Sequence, residues 1–225
     1  MVAANLFLAR RDADAQAEAL LAIDADVALV VEHSPATAGA LERAGIAERY
    51  PHRLDDPHET GFFGSLVASR LPIARRWQGD LGGRPGMAAD VTVGTTTVRL
   101  VPVHTQAPVH DRDLAPWQGG IAAIAAVADG APGPVVLAGD WNATGGHRVF
   151  RRALAAHDLV DAQTALGHRW YPTWPVGLRL AGVPIPRVLT LDHVVVSRGV
   201  GVARLERIRL PGTDHLALRA ELRLA

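Results

Sequence analysis

Residues 134–144 (PVVLAGDWNAT) place two polar side chains directly after a short apolar run. The Val-Val-Leu run at 135–137 favours a strand buried on both faces, and Asp140 and Asn142 follow where that strand would end. Their spacing of two points both side chains the same way along extended backbone. A carboxylate accepts a proton or holds a cation, and a carboxamide donates to an anionic oxygen. The pair therefore suits a phosphate beside a divalent metal, although the same residue types also form ordinary turns.

Six further polar residues lie at predicted strand ends or inside apolar strands. They are Asn5, Glu32, His104, Asp192, Asp214 and His215. A Glu that ends a run of valines is either solvent-facing or a ligand, and an Asn in an apolar strand needs partners for its amide. A fold that gathers strand ends at one edge would bring these groups into one cleft. Clustered carboxylates repel one another and need a cation, and oxygen ligands suit Mg²⁺ or Mn²⁺ rather than zinc.

Composition excludes several kinds of chemistry. The 225 residues include no Cys, which removes thiolate catalysis, disulfides and Cys-zinc sites. All 23 basic residues other than His are Arg, and they equal the 23 acidic residues in number. This neutral balance argues against a large non-specific nucleic-acid footprint.

The location of the protein is left open by its sequence. No apolar run is long enough to span a membrane, and no signal-peptide pattern is present. The chain begins almost within its first predicted strand, which indicates an upstream segment that was removed or never existed. We therefore expect a cytoplasmic protein as the sequence stands, and an extracytoplasmic one if an N-terminal membrane anchor has been removed.

The elements that must position these residues alternate without a strict strand–helix–strand rhythm. This order favours an α/β (α+β) fold in which two mostly antiparallel sheets pack face to face with helices outside, a four-layer α/β/β/α sandwich formed as a single domain over residues 1–225. Helices are predicted at 12–23, 34–49, 117–128 and 147–157, and strands at 2–8, 26–31, 61–70, 88–93, 96–103, 188–197, 202–210 and 216–224.

Four segments are predicted to be irregular. Residues 52–60 and 105–116 are polar loops rich in His and Asp, and residues 77–85 are rich in Gly. Residues 162–186 form a long loop of the kind that is usually functional. Trp170 and Trp174 in this loop either stack on a substrate or serve packing.

Seven short motifs, in this order, carry a resemblance to a known family. They are N-L-F at Asn5, E at Glu32, S-R-L-P at 69–72, V-H ending at His104, G-D-W-N-A-T at 139–144, L-D-H-V-V-V-S at 191–197 and T-D-H at 213–215. Together they resemble the endonuclease/exonuclease/phosphatase superfamily, which includes deoxyribonuclease I, apurinic endonucleases, sphingomyelinases and inositol-phosphate 5-phosphatases. The combination of G-D-x-N with a terminal [S/T]-D-H is specific, and it extends over essentially the whole chain.

The resemblance implies a metal site. The departures from the family's motifs leave the functional groups of that site in place. Glu32, with Asn5 nearby and Asp214 completing the set, resembles the principal site for Mg²⁺ (or Mn²⁺) in the family. Trp141 replaces the commoner Phe of the central motif, and Thr213 stands for the usual Ser. Neither change removes a catalytic group, so the resemblance implies an active enzyme.

The resemblance also implies catalytic roles. Asp140 resembles the residue that orients or deprotonates the attacking water. Asn142 and His104 resemble binders of phosphate oxygens. Asp192 and His215 resemble an Asp–His pair in which the carboxylate fixes the imidazole against the scissile phosphate.

The substrate is left open among three hypotheses. Details such as P-T-W-P at 172–175 resemble a bacterial branch that includes teicoplanin-resistance-associated proteins, which implies a small-molecule or lipid-linked phosphoester or pyrophosphate. Duplex DNA is less expected because the Arg residues are scattered, yet a small metal-dependent nuclease stays an alternative. A non-hydrolytic member that uses the cleft for binding is the third. The oligomeric state is open, with a monomer as the expectation.

Overall fold

The structure, a computed structural model, describes residues 1–6 and 12–224. The end of the first predicted strand, at residues 7 and 8, lies outside these ranges. The described strands are β1 (Val2–Asn5), β2 (Val27–Val31), β3 (His52–Asp56), β4 (Ser65–Ser69), β5 (Ile73–Asp80), β6 (Pro85–Val93), β7 (Thr96–His104), β8 (Val135–Asp140), β9 (Leu159–Asp161), β10 (Arg179–Leu180), β11 (Val183–Pro184), β12 (Asp192–Ser197), β13 (Val200–Arg209) and β14 (Leu216–Leu224). The helices are α1 (Ala13–Ala22), α2 (Pro35–Arg43), α3 (Ile46–Arg49), α4 (Asp111–Ala126), α5 (Arg148–Ala156) and α6 (Ala162–Ala165). None of these described helices is long and apolar enough to cross a membrane.

Two six-stranded sheets contain most of the strands. The first has the order β13-β14-β1-β2-β4-β3, and the second has the order β5-β6-β7-β8-β12-β9. Each sheet has one parallel pair, β1 with β2 and β7 with β8, while its other neighbours are antiparallel. Parallel strands need a crossover, which α1 and α4 supply. The carboxyl ends of each parallel pair consequently lie at the same edge of its sheet.

Alternation along the strands divides the apolar side chains into three layers. Leu29 of β2 and Val136 of β8 belong to the cluster between the sheets. Val30 packs on the other side with residues of α1 and α2, and Leu137 packs with residues of α4 and α5. Because both faces of the central strands are buried, their sequences are continuous apolar runs. The result is the expected four-layer α/β/β/α sandwich.

Two segments predicted to be loops are edge strands instead. The loop prediction for residues 52–60 was wrong for 52–56, because β3 begins at His52 and pairs with β4. The loop prediction for residues 77–85 was wrong at both ends, because β5 extends to Asp80 and β6 begins at Pro85, while residues 81–84 connect the two strands. An edge strand keeps one side in water, so only Leu54 of β3 is buried and β5 is almost wholly exposed. The sequences of these two edge strands are therefore as polar as those of loops, and composition cannot distinguish the two.

Several predicted boundaries also moved. The helix predicted at 34–49 divides into α2 and α3, because Gly45 lies between them with a φ of 86°. Helix α4 begins at Asp111 rather than at 117 and includes Pro116 in its interior. The long segment 162–186 contains α6 and the small β10–β11 hairpin. The strands predicted at 61–70 and 188–197 are shorter and begin at Ser65 and Asp192.

Gly139 of β8 lies where the backbones of β7 and β8 come close together, so a substitution there tests how tightly these two strands pack. Its φ is 143°, and an added Cβ would lie 2.3 Å from the carbonyl oxygen of Val103. We expect Gly139→Ala to lower the free energy of unfolding by about 2–4 kcal/mol. Gly119→Ala is the control, because its Cβ would meet open space on α4 and raise stability by about 0.5–1 kcal/mol. Urea unfolding followed by circular dichroism measures both, and an unchanged midpoint for Gly139→Ala would contradict the packing.

Candidate active site

A cleft of about 690 Å³ opens at the edge where the carboxyl ends of the two parallel pairs lie. Polar groups from both sheets line it together with aromatic and aliphatic side chains. Six of the eight predicted site residues are among its lining: Glu32, His104, Asp140, Asn142, Asp214 and His215. The other two, Asn5 and Asp192, are buried and hydrogen-bonded to members of this group.

Strand register explains how distant sequence positions meet. His104, Asp140 and Asp192 are direct register partners across β7, β8 and β12. In the other sheet, Asn5 ends β1, and Glu32 follows β2 with a φ of 54°. The two sheets thus present their strand ends to each other across the cleft.

Asn5 connects the carboxylates of the two sheets. Its Nδ2 donates to Glu32 Oε1 at 3.0 Å and to Asp140 Oδ2 at 3.2 Å. Thr213 adds a second link, since its hydroxyl donates to the Asn5 carbonyl at 2.8 Å and accepts from the His215 amide at 3.1 Å. Asn5 thereby positions two acidic groups, and Thr213 ties the loop that carries His215 to β1.

His215 lies among three carboxylates. Its Nδ1 contacts Asp192 Oδ2 at 2.9 Å, and its Nε2 lies 3.7 Å from Asp140 Oδ2 and 3.8 Å from Asp214 Oδ1. Burial by itself would lower the pKa of His215, but the charges of Asp192 and Asp140 outweigh it and raise the pKa to about 10. In the absence of a metal, His215 is therefore an imidazolium at neutral pH and offsets part of the local negative charge.

Two buried carboxylate oxygens in the cleft have no hydrogen-bond donor among the described residues. These atoms are Glu32 Oε2 and Asp214 Oδ1. The other oxygen of Asp214 accepts from the indole Nε1 of Trp174 at 2.8 Å, so the carboxylate is held in orientation. Burial raises the pKa of Glu32 although the Asn5 amide opposes the shift. Buried oxygens of this kind are costly unless a cation or a donor reaches them.

A second arrangement could also hold a cation. Asp140, Asp192 and His215 each offer a ligand atom, and these atoms lie within 4.8 Å of one another. His215 Nδ1 is already paired with Asp192, and a cation at this triad would compete with the imidazolium proton. Glu32 Oε2 has no such competitor among the described residues, whereas Asp214 Oδ1 lies 3.8 Å from the same imidazolium. Oxygen donors fit Mg²⁺ or Mn²⁺. The triad has its ligand atoms close together, whereas Glu32 and Asp214 offer buried oxygens to which no described residue donates.

Asp140 is held in orientation from both sides. The backbone amide of Asn142 donates to its Oδ1 at 2.8 Å, and Asn5 donates to its Oδ2. Burial raises the pKa of Asp140, with His215 opposing the shift. A buried carboxylate with a raised pKa accepts a proton more readily than an exposed one, which suits a general base.

Asn142 and His104 present polar atoms to the same space. Asn142 adopts a φ of 45°, which Asn tolerates, and its Nδ2 donates to the Thr105 carbonyl at 3.0 Å. His104 Nδ1 lies 2.9 Å from the Phe62 carbonyl, which only accepts, so this nitrogen carries a proton. Burial lowers the pKa of His104 although Asp140 opposes the shift. The neutral ring therefore presents Nε2 to the cleft, 3.6 Å from Glu32.

The structure also reveals cleft residues that sequence patterns did not single out. Arg84 lies in the wall, donates to Gln106 Oε1 at 2.7 Å and stacks 5.0 Å from the ring centre of Phe63. Phe62 lies beside them in the lining and is about half exposed. No signal for Arg84 exists in the sequence, because it occurs in a Gly-rich turn between β5 and β6. Trp174, left open between substrate stacking and packing, contacts Asp214.

Three other histidines, His193, His58 and His110, do not line the cleft. His193 follows Asp192 on β12 and points to the opposite face, where its Nε2 lies 2.9 Å from the Ala143 carbonyl. His58 contacts Thr60 in its own turn, and His110 precedes α4 as its N-cap. These residues have local partners that account for them.

Sequence comparison identifies the family. The profile of the Endonuclease/Exonuclease/phosphatase family matches residues 2–215, and the chain belongs to this family. Members of this family are generally hydrolytic and depend on divalent metals. No curated protein matches the sequence significantly.

Solved structures share the fold at low sequence identity. A D. rerio TDP2 complexed with single-strand DNA product has a TM-score of 0.77 and 16% identity, covering 99% of this chain and 97% of its own. Sphingomyelinase C from Streptomyces griseocarneus has a TM-score of 0.67 and 20% identity over 97% of each chain. A family protein from Leptotrichia buccalis C-1013-b has a TM-score of 0.72 and 12% identity over 100% of each chain. At these identities the similarity shows the fold alone.

The charge state of His215 can be tested in the metal-free protein. We expect Asp192→Asn to lower the pKa of His215 from about 10 toward its ordinary value, because a paired carboxylate is lost. Imidazole NMR titration in the presence of a chelator measures it. Because the folded pKa exceeds the ordinary 6.5, this pairing stabilises the fold fully below pH 6.5, and its contribution is lost as the pH rises toward 10. Asp55→Asn, which removes the partner of His33, is the control and should leave His215 unchanged.

Proposed function

We propose that the chain is a Mg²⁺- or Mn²⁺-dependent phosphoesterase that hydrolyses a small-molecule or lipid-linked phosphoester or pyrophosphate by in-line attack of water. The observation that carries the proposal is the Asp192–His215 pair facing Asp140 across a cleft that also contains two donor-free carboxylate oxygens. We treat residues 1–225 as one catalytic domain.

Glu32 and Asp214 would hold the metal, with Asn5 beside them. Each acid offers a buried oxygen to which none of the described residues donates, while its other oxygen accepts from Asn5 or from Trp174. A divalent ion held by these residues would supply neutralisation of the phosphate and stabilisation of the leaving oxygen. Asn5 and Trp174 hold both carboxylates in place before the ion arrives.

The remaining polar residues would handle the water and the phosphate. Asp140 orients the attacking water and accepts its proton, which its burial favours. The imidazolium of His215, fixed by Asp192, stabilises negative charge that develops on the phosphate. Asn142 donates from its amide to a phosphate oxygen. His104 donates from Nε2 to a phosphate oxygen once the negative charge of the phosphate favours protonation of that nitrogen.

A nuclease acting on single strands is the second candidate. It is favoured by the fold shared with the TDP2 structure that contains a single-strand DNA product. Phe62, Phe63 and Arg84 in the cleft wall offer stacking surfaces and a cation for an unpaired nucleotide. Duplex DNA is less expected, because the chain has no net charge. The non-hydrolytic alternative finds no support, since each proposed catalytic group is present.

Asp140→Asn tests hydrolysis directly. We expect kcat to fall by at least about 10³-fold, because the amide cannot accept the proton of water. The assay compares phosphomonoester and phosphodiester reporters, single-stranded and plasmid DNA, and a polyprenyl pyrophosphate, each with Mg²⁺, with Mn²⁺ and with chelator. Asp158→Asn, an exposed acid far from the cleft, is the matched control and should keep full turnover. Turnover that survives in Asp140→Asn would refute the assigned base, and no metal-dependent turnover of any substrate by the wild type would refute hydrolysis.

Glu32→Gln tests the metal site. We expect affinity for Mn²⁺ to fall by about 10–100-fold, because a charged ligand oxygen becomes an amide. Calorimetry and electron paramagnetic resonance measure the binding without reference to activity. Glu42→Gln on α2 is the matched control, because its carboxylate is exposed and pairs with Arg53. Equal affinity in the wild type and Glu32→Gln would instead favour the triad of Asp140, Asp192 and His215.

A further inference from the structure

One segment of the chain departs sharply from the neutral charge of the whole. Residues 162–191 contain no Asp or Glu, although the chain has 23 acidic residues in 225. The same 30 residues contain Arg169, Arg179 and Arg187, all of them exposed. The segment is therefore a local cationic surface.

The same segment exposes large apolar side chains. Trp170 is 70% exposed, and Leu180 and Val183 are 72% and 66% exposed. Leu180 of β10 lies directly opposite Val183 of β11, so their side chains share one face of the hairpin. Val188 and Leu189 add exposed apolar surface next to the hairpin. Such surface is unfavourable in water, and a contiguous group of it marks a contact site.

The hairpin that carries these residues is tightly turned but belongs to neither main sheet. Ala181 and Gly182 form its two-residue loop with φ values of 48° and 82°, as in a type I′ turn. β10 and β11 pair only with each other within the described part of the chain. Isolated two-stranded hairpins are marginally stable, so an apolar contact here would also order the hairpin.

The base of the hairpin is part of the cleft wall. Trp174 and Leu189 exchange backbone hydrogen bonds of 3.0 Å in each direction. Both residues line the cleft, and the Trp174 indole holds Asp214. The exposed apolar surface is therefore continuous with the space where the substrate phosphate would bind.

We propose that residues 169–189, the apolar hairpin segment, dock on an anionic lipid surface. Exposed Arg residues in a segment without Asp or Glu complement negatively charged headgroups, and Trp with aliphatic residues suits the interface between headgroups and acyl chains. The unpaired edges of β10 and β11 limit insertion to this interfacial depth. The part of the inference that concerns the substrate rests on the proposed function. The cleft would then receive the phosphoester headgroup of an amphiphile from the same lipid surface.

Vesicle flotation tests the docking. We expect the wild type to bind vesicles of phosphatidylcholine with phosphatidylglycerol at least about tenfold more tightly than phosphatidylcholine alone, with binding weakened by salt. Leu180→Ser/Val183→Ser should lose at least about tenfold in affinity for the anionic vesicles. Leu114→Ser/Val160→Ser, which removes equally large exposed side chains elsewhere, should bind as the wild type does.

The charge contribution has its own pair of variants. Arg179→Gln/Arg187→Gln should weaken binding by about fivefold per arginine, as expected for one cation at an anionic surface. Arg198→Gln/Arg223→Gln, on exposed arginines outside the segment, is the matched control. The docking would be overturned if Leu180→Ser/Val183→Ser bound the anionic vesicles as tightly as the wild type does. It would also be overturned if the wild type bound neither kind of vesicle. A dimer in sedimentation velocity that Leu180→Ser/Val183→Ser dissociates, without vesicle binding, would instead assign the surface to a second copy.

Hydrolysis of a soluble phosphodiester reporter separates this proposal from the proposed function. Leu180→Ser/Val183→Ser should hydrolyse the reporter at the wild-type rate, because neither Leu180 nor Val183 lines the cleft. If the wild type hydrolyses the reporter but binds no vesicle, the docking alone fails. If it binds vesicles through the hairpin yet hydrolyses no substrate with metal, the proposed function and the lipid substrate fail while the docking stands.

Discussion

Repulsion among buried carboxylates is the constraint on which the site depends. Carboxylate oxygens of Asp192, Asp140 and Asp214 lie 2.9, 3.7 and 3.8 Å from ring nitrogens of His215. Glu32 lies 3.6 Å from His104 in the same cleft, and these groups come from both sheets. Burial removes the water that would otherwise screen their charges, so the fold must supply compensation. The imidazolium of His215 and the amide of Asn5 provide part of it. The two oxygens to which no described residue donates are where we propose that a divalent cation supplies the rest.

The architecture makes that crowding possible because each sheet contains one parallel pair. Crossovers through α1 and α4 bring the carboxyl ends of β1 and β2, and of β7 and β8, to the same edges. Close packing then sets the distances between neighbouring strands. At Gly139, for example, the backbone of Val103 leaves no room for a side chain. Apolar layers on both faces hold these strands rigid, so the polar groups at their ends have little freedom to move apart.

The strands with a clear apolar pattern, either continuous or alternating, were the easiest to predict from the sequence. The hairpin at residues 88–103 and the last strand at 216–224 were found where expected, because apolar patterning decides their burial. The edge strands β3 and β5 were missed because one side faces water and a polar strand is indistinguishable from a loop in composition. Helix α4 was predicted to start too late because Pro116 reads as a helix boundary, whereas it lies inside the first turns of the helix.

By itself, the sequence determined the family, because seven short motifs in the family's order resemble it, and it determined which carboxylates, amides and imidazoles were candidates for the site. The family match over residues 2–215 agrees with that interpretation. Only the tertiary structure decided which groups meet. The contacts of Asn5 with Asp140, of Asp192 with His215 and of Trp174 with Asp214 span 135, 23 and 40 residues. Arg84 and the exposed hairpin were likewise invisible in the sequence, because cleft lining and solvent exposure arise only when remote segments pack together.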